Sequence, residues 1–285
     1  MSELKIAIQK NGRLSENSKR LLEECGINFS NGPGVLKTRA TNFPVELLFL
    51  RDDDIPQYVE QKVADIGILG ENMVFEKEKH VRIMEMLGFA QCRLCLAIPR
   101  EAHYTGPGFF NNKKVATSYP RILSGYFKKN NINAEIEEIS GSVEIAPGIG
   151  LADAVCDIVS SGSTLHSNGL LEVETVIKSQ AVIIASNDLS GKKQQILDRL
   201  LFRIRAVKYA GENKYILLNA PESALSRISE ILPGMKSPTI LPLMEKGWYS
   251  MHSVVKEDDF WDSISLLKEA GAEGILVIPI EKMIV

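Results

Sequence analysis

No uninterrupted apolar run in this chain approaches the roughly eighteen residues of a membrane-spanning helix, which excludes a helical membrane protein. A secretory leader is not expected either. The opening Met-Ser-Glu-Leu-Lys-Ile-Ala-Ile lacks the basic, apolar and small-residue succession and leads straight into a strand pattern. Positive charge is not in excess: 33 Lys and Arg against 36 Asp and Glu give a net charge of −3. A nucleic-acid surface would need a basic face, so anionic ligands must be met by local clusters of Arg and Lys. Cysteine is scarce, at Cys25, Cys92, Cys95 and Cys156. Cys92 and Cys95 have C-x-x-C spacing, but no second Cys or His pair follows at zinc spacing, and they lie in an extended apolar run rather than at a helix start. Buried strand thiols in a reducing, cytoplasmic setting are expected. His80, His103, His166 and His252 are scattered and make no catalytic or metal cluster.

What is present is an ordinary core. An apolar share of 45% beside 24% charged residues suits a globular chain, and 285 residues allow two or three domains. Strands are expected at 4–9, 45–51, 65–69, 114–117, 134–139 and 153–160. Helices are expected between them at 16–25 (with Ser15 as N-cap), 53–63, after 70, and at 121–130, 143–150 and 164–170. That alternation implies parallel sheets with helices on both faces. Extended segments at 92–99 and 174–185 cross between two such lobes and suggest a cleft hinged like that of a periplasmic binding protein. A helix at 190–210 then leads to strands at 214–219, 239–243, 248–255 and 274–280, with helices at 222–231 and 259–270. This β-α-β-β-α-β order is the ferredoxin-like pattern common in small regulatory domains. The expected fold class is α/β: a two-lobed periplasmic-binding-protein-like region plus a C-terminal ferredoxin-like (βαββαβ) domain.

The segment 144–165 carries the clearest chemistry. Residues 153–160 read as an apolar strand with two acids, Asp153 and Asp157, and an acid there is costly unless it has a partner. The strand runs into Ser160, Ser161, Gly162, Ser163 and Thr164, a hydroxyl-rich turn before a helix start. Such a turn can aim backbone N–H groups and hydroxyls at one anion, helped by the helix dipole. Asp157 is spaced to bond a sugar diol while the turn holds that sugar's phosphate, so the pattern describes a ribose-5-phosphate cradle. It is not a Walker A loop, which has Lys before the final hydroxyl. Taken alone, Ser161–Thr164 also reads as a capped strand end.

Other loops follow strands in the same way, where open α/β sheets bind ligands. Lys10 and Arg13, after the first strand, could meet phosphates or could belong to a solvated loop. Arg51 is a ligand candidate, while Asp52, Asp53 and Asp54 read most simply as helix-start charges, with a role near magnesium conceivable. Glu71 lies on the same rim. Tyr119 could stack on a purine, although an aromatic before Pro more often packs a turn.

The 157–164 turn resembles the D-x-x-x-[ST]-G-x-T loop with which phosphoribosyltransferases hold phosphoribosyl pyrophosphate. Over a longer span, the spacing of Glu144, Gly150, Asp157, Ser161, Gly162 and Thr164 is similar to the signature region of ATP phosphoribosyltransferase, the first enzyme of histidine biosynthesis. Lys5-Ile-Ala-Ile-Gln-Lys-Asn-Gly-Arg-Leu-Ser15, Arg51-Asp-Asp-Asp-Ile-Pro56, Asp65-Ile-Gly-Ile-Leu-Gly-Glu-Asn72 and Ala116-Thr-Ser-Tyr-Pro120 resemble its N-terminal blocks. Ser237-Pro-Thr-Ile-Leu-Pro242, Met251-His-Ser253 and Ile275-Leu-Val-Ile-Pro-Ile-Glu-Lys282 resemble the regulatory domain of the long form.

The resemblance implies transfer of a phosphoribosyl group from phosphoribosyl pyrophosphate to N1 of ATP, with Mg²⁺ as cofactor and its ligands unknown. It implies catalytic roles for Asp157, Glu144, Lys10 and Arg13, and substrate binding by Asp153, Ser160, Ser161, Gly162, Ser163, Thr164, Arg51, Glu71 and Tyr119. It also implies histidine as an allosteric inhibitor near Thr239, Gly271, Ala272 and Gly274, and homo-oligomers from dimer to hexamer. Residues 1–91 with 176–210 would form catalytic lobe I, 92–175 lobe II with the phosphoribosyl loop, and 211–285 the histidine-binding domain. A two-lobed solute-binding or ligand-sensing protein is the rival; the missing leader and the phosphoribosyl loop count against it. A short-form subunit needing a separate regulatory partner is opposed by the C-terminal domain.

Overall fold

The computed structural model describes residues 3–284 apart from Asn31 and Pro33. They divide into two compact units, the division falling between Leu197 and Asp198, with Glu24–Gly26 belonging to the second unit.

The first unit has two lobes, each built on one sheet. Lobe I contains β1 (Leu4–Gln9), α1 (Arg13–Glu24), β2 (Lys37–Arg39), β3 (Val45–Leu50), α2 (Ile55–Glu60), β4 (Ile66–Gly70), α3 (Glu71–Lys77) and β5 (Val81–Met86). Lobe II contains β6 (Cys92–Pro99), β7 (Lys114–Thr117), α4 (Pro120–Lys129), β8 (Glu135–Glu138), β9 (Ala154–Val159), α5 (Ser163–Ser167) and β10 (Leu170–Ser179). The chain then returns to lobe I as β11 (Ala181–Ser186) and continues into α6 (Gly191–Glu212).

The lobe I sheet has the order β2-β3-β1-β4-β11-β5. In it β1 runs parallel to β3 and β4, while β11 is antiparallel to both its neighbours. Strand β11 is buried along its whole length, and β4 up to Gly70, as their continuous apolar sequences require of strands covered on both faces. The lobe II sheet has the order β10-β6-β9-β7-β8, with β7 parallel to β8 and β9. Its two faces bury separate clusters, one around Phe110, Leu123 and Phe127, the other around Cys95, Val155 and Leu165.

The second unit adds β12 (Asn213–Pro221), α7 (Leu225–Ile231), β13 (Thr239–Pro242), β14 (Trp248–Lys256), α8 (Glu257–Glu269) and β15 (Glu273–Pro279). Its sheet is antiparallel throughout, in the order β13-β14-β12-β15, which is the ferredoxin-like topology. Ile216, Leu218, Met251, Phe260 and Leu267 form its core.

Several local expectations are corrected. Helix α1 starts at Arg13, not after Ser15: Glu16 N–H donates to the Gly12 carbonyl, and the Ser15 hydroxyl is buried without a partner. The 143–150 segment makes only a short 3₁₀ turn at Val143–Ile145, because Pro147, Gly148 and Gly150 cannot sustain a helix. The 174–185 segment is two strands in different sheets. It continues the lobe II sheet to Ser179, past residue 175, and joins the lobe I sheet from Ala181.

Candidate active site

Because β1, β3 and β4 are parallel, their C-terminal ends share one edge of lobe I, and the loops leaving them carry Lys10 and Arg13, Arg51, and Glu71. The Lys10 N–H donates to the Leu50 carbonyl at 2.8 Å, joining the first loop to the strand end beside Arg51. Lys10, Arg13 and Arg51 are exposed; Glu71 is half-buried, and burial raises its carboxyl above the usual range. Lobe II repeats the arrangement with β7, β8 and β9. Their C-terminal ends carry Tyr119, the loop to Glu144, and the 160–164 turn.

The turn is shaped by Gly162, whose φ of 81° and ψ of −1° are left-handed, a conformation glycine enters without a Cβ penalty. Its carbonyl accepts the His166 N–H at 3.0 Å and starts α5. Ser160, Ser161, Ser163 and Thr164 are exposed, with the Ser161 and Ser163 hydroxyls 3.0 Å apart. Asp157 lies half-buried on β9, and its Oδ1 accepts the Ile158 N–H at 2.7 Å. Burial raises its carboxyl, against the pull of that hydrogen bond, and the charge of Glu144 adds to the rise. Val143, next to Glu144, packs in one buried cluster with Val159 of β9, so the structure brings Asp157, Glu144 and the turn together.

It also supplies groups that the sequence pattern did not reveal. Arg93 on β6 grips Glu172 with two bonds of 2.7 Å, and its remaining nitrogen Nη1 donates to the Ser160 carbonyl at 3.3 Å. Arg93 holds the Glu172 carboxyl below its usual range. Lys178 pairs in register with Arg93 across β10 and β6. An open cleft of about 530 Å³ is lined by Glu71, Cys92, Arg93, Ser160, Lys178 and Ser179. A cation inside the apolar 92–99 run was a readable signal of the kind that marked Asp157.

Other expected residues do not converge. Asp153 sits at the opposite end of β9, where its Oδ2 accepts the Lys114 N–H at 2.8 Å; the six residues of β9 put about 20 Å between it and the turn. Tyr119 is a packing residue rather than an open stacking platform. Its ring contacts the lobe I cluster of Ala7, Ile55, Val59 and Met73 and also the lobe II cluster of Leu123 and Phe127. Burial pushes its hydroxyl pKa upward, with Asp157 and Asp52 adding to the shift.

The thiols of Cys92 and Cys95 are also raised by burial, Cys95 to about 12, so neither is a reactive thiolate. Among the described residues no group of three or more His, Cys, Asp and Glu is arranged to hold a metal, and no helix is long and apolar enough to cross a membrane.

In the second unit, Thr239 lies on edge strand β13, while Gly271 and Gly274 flank the start of β15 on the opposite edge. Three strand spacings, about 14 Å, separate those edges within one chain. Ala272 is buried in the core.

Residues 51–206 match the family model described as ATP phosphoribosyltransferase, and residues 210–282 match that of the HisG C-terminal domain. An ATP phosphoribosyltransferase of Cytophaga hutchinsonii is 60% identical over 281 residues, which are 99% of this chain and 98% of the relative. The chain belongs to the ATP phosphoribosyltransferase family. A second ATP phosphoribosyltransferase, from Bacteroides thetaiotaomicron, is 56% identical over 282 residues, 99% of this chain and 100% of the relative. With both family models matched in one chain, it is a long-form member and a transferase.

Among solved structures, a chain of the ATP phosphoribosyl transferase (HisG:HisZ) complex from Thermotoga maritima is 27% identical with a TM-score of 0.61, covering 71% of this chain and 98% of that one. A substrate binding protein of an amino acid ABC transporter, 10% identical with a TM-score of 0.50 over 74% of this chain and 95% of that one, shares the two-lobed fold alone.

Proposed function

We propose that this ATP phosphoribosyltransferase moves the 5-phosphoribosyl group of phosphoribosyl pyrophosphate to N1 of ATP, as the committed step of histidine biosynthesis in the cytoplasm, and that histidine inhibits it. The observation that carries the reading is the grouping of Asp157, Glu144 and the 160–164 turn at one strand end. As pyrophosphate departs from C1, positive charge builds on the ribose ring and negative charge on the leaving group. Asp157 bonds the ribose hydroxyls and faces the developing cation, while the turn holds the 5-phosphate. Glu144 adds a second negative charge beside ribose or adenine. Lys10, Arg13 and Arg51, with Arg93 and Lys178 in the cleft, meet the polyphosphates. Arg93 also braces the turn through the Ser160 carbonyl.

The residues fit a magnesium ion that arrives with its substrate. Mg²⁺ is commonly held by one or two carboxylates plus phosphate oxygens rather than by an all-protein cage, and Asp157 with Glu144 supplies that set. When bound, the ion neutralises charge on the leaving pyrophosphate.

The second unit is the regulatory part of this reading. Thr239 and the Gly271–Gly274 turn lie on opposite edges, so a histidine that touches both is bound between two copies, which accords with dimers that build hexamers. Ultraviolet detection of 1-(5-phosphoribosyl)-ATP from ATP, phosphoribosyl pyrophosphate and Mg²⁺ tests the reaction, and repeating it with histidine tests the inhibition. No product from folded enzyme would overturn the first; undiminished rates at saturating histidine would overturn the second.

A further inference from the structure

We propose that α3 is a strut that locks lobe II onto lobe I, with Glu76 as the positioning residue that fixes α4 and, ahead of it, Tyr119 between the two lobe cores. Glu76 belongs to lobe I, yet its carboxylate is buried, at 7% exposure, against lobe II. Its Oε1 accepts the Arg121 N–H and its Oε2 the Ile122 N–H, both at 3.1 Å. Those are N–H groups of the first turn of α4, which have no helical partner, and α4 has no side-chain cap of its own. The anion also sits at the positive end of the α4 dipole.

The return contact has the opposite sign. The Arg121 guanidinium of lobe II reaches the Lys77 carbonyl and the Glu78 carboxylate, each at 3.4 Å, at the negative end of α3. The other end of α3 is fixed as well. The Asn72 N–H donates to the Ser179 hydroxyl at 3.0 Å, and that hydroxyl donates back to Asn72 Oδ1 at 2.9 Å, with both residues buried. Ser179 ends β10 at the crossing between the lobes. One short helix is thus bonded to the crossing at its start and to α4 at its end.

What the strut fixes is the residue just ahead of α4. Tyr119 is the N-cap position of α4, and its ring is packed against the cores of both lobes. A lobe shift would carry Tyr119 and the site's own loops with it, and misplacement by about 1 Å can cost on the order of a hundredfold in rate. With α3 bonded at both ends, the lobes of this hinged architecture keep one arrangement through the reaction.

The proposal rests on Asp157 as the ribose-facing acid. Amide hydrogen exchange on the full chain should find the Arg121 and Ile122 N–H groups protected without substrate, and still protected with phosphoribosyl pyrophosphate and Mg²⁺. A loss of that protection of more than about tenfold on adding substrate would overturn the strut and restore a moving hinge, whereas a gain follows from ligand binding alone. This comparison needs no variant, so it decides even where a substitution fails to fold.

Glu76→Gln keeps the shape but loses the charge and turns an N–H towards a donor. It should speed exchange at both amides roughly tenfold or more and lower kcat by about ten- to hundredfold. Affinity for phosphoribosyl pyrophosphate should fall less than kcat, because the 5-phosphate turn hangs from β9 rather than α4 and only the contacts from lobe I are displaced relative to it. Glu76→Asp, charged but shorter, should fall between. A Glu76→Gln enzyme with a lowered melting temperature and wild-type kcat per folded molecule would make the contact structural only. Failure of the site reading would appear elsewhere, as full activity in Asp157→Asn, and would leave the exchange result untouched.

Discussion

Gly162→Ala isolates the contribution of one backbone conformation to substrate binding. The glycine has a φ of 81°, and an added Cβ would meet nothing closer than Val159 Cγ1 at 3.8 Å, an ordinary contact. Sterics with neighbours therefore contribute nothing, and the cost is that of holding an L-residue in the left-handed region, about 1–2 kcal/mol. The folded enzyme relieves that cost by letting the turn relax, and phosphoribosyl pyrophosphate must then pull it back. At about 1.4 kcal/mol per tenfold, affinity should fall by roughly five- to thirtyfold with the fold intact. Titration calorimetry with phosphoribosyl pyrophosphate and Mg²⁺ reads this directly. Gly26→Ala is the control: its φ is 72° with nothing within 4 Å of the added carbon, so it carries a similar backbone cost away from the turn. Unchanged affinity in Gly162→Ala, or an equal loss in Gly26→Ala, would refute the assignment of the turn as the phosphate cradle.

Thr164→Ala removes one hydroxyl from the same turn and should weaken binding by about ten- to hundredfold, the value of a charge-assisted hydrogen bond of roughly 1.5–3 kcal/mol, again read by calorimetry. Asp157→Asn should cut turnover without lowering the melting temperature at pH 7. The Asp157 carboxyl is raised above its ordinary 3.8, so the folded state holds that proton more tightly than the unfolded one, and the charge costs stability as pH climbs through and above that value. Melting temperatures of wild type and variant, scanned downward in pH, should converge as Asp157 protonates; a variant less stable at pH 7 would contradict this sign. Thr239→Val, which keeps the side-chain shape on the exposed β13 edge, should weaken histidine inhibition by about five- to 150-fold while leaving the uninhibited rate intact. Wild-type sensitivity in dose–response assays would place the effector elsewhere.

The parts of this fold that were legible in the sequence are those with local signatures. Asp157 stands out because a charge in an apolar strand demands a partner, and the hydroxyl turn after it is contiguous in sequence. The βαββαβ succession is legible for the same reason, each element announcing itself by its own periodicity. Strand β2 is only three residues long, and β5, Val-Arg-Ile-Met-Glu-Met, buries none of its residues and keeps no strict alternation, so neither leaves a clear strand pattern to read. The break between β10 and β11 has no glycine or proline to mark it; both sides are extended, and only pairing with different sheets tells them apart. Glu76 with Arg121, and Arg93 with Ser160, meet across 45 and 67 residues, and such pairings have no signature within either segment. Asp153 misled for a related reason: strand membership is local, but which end of a strand faces the site is a property of the whole sheet.

The return of the chain to lobe I through β11 has a consequence for synthesis on the ribosome. β11 lies inside the six-stranded sheet, between β4 and β5, and it is translated only after all of lobe II. Until Ser186 has emerged, β5 has no neighbour to pair with and β4 exposes a full edge of backbone donors and acceptors. Lobe II needs only residues 92–179 to complete its own sheet. The lobe encoded second is therefore finished first, reversing the usual N-terminal-first order of domain folding. During that interval the nascent chain carries an open apolar edge at Ile66–Gly70, the stretch most in need of protection from wrong partners.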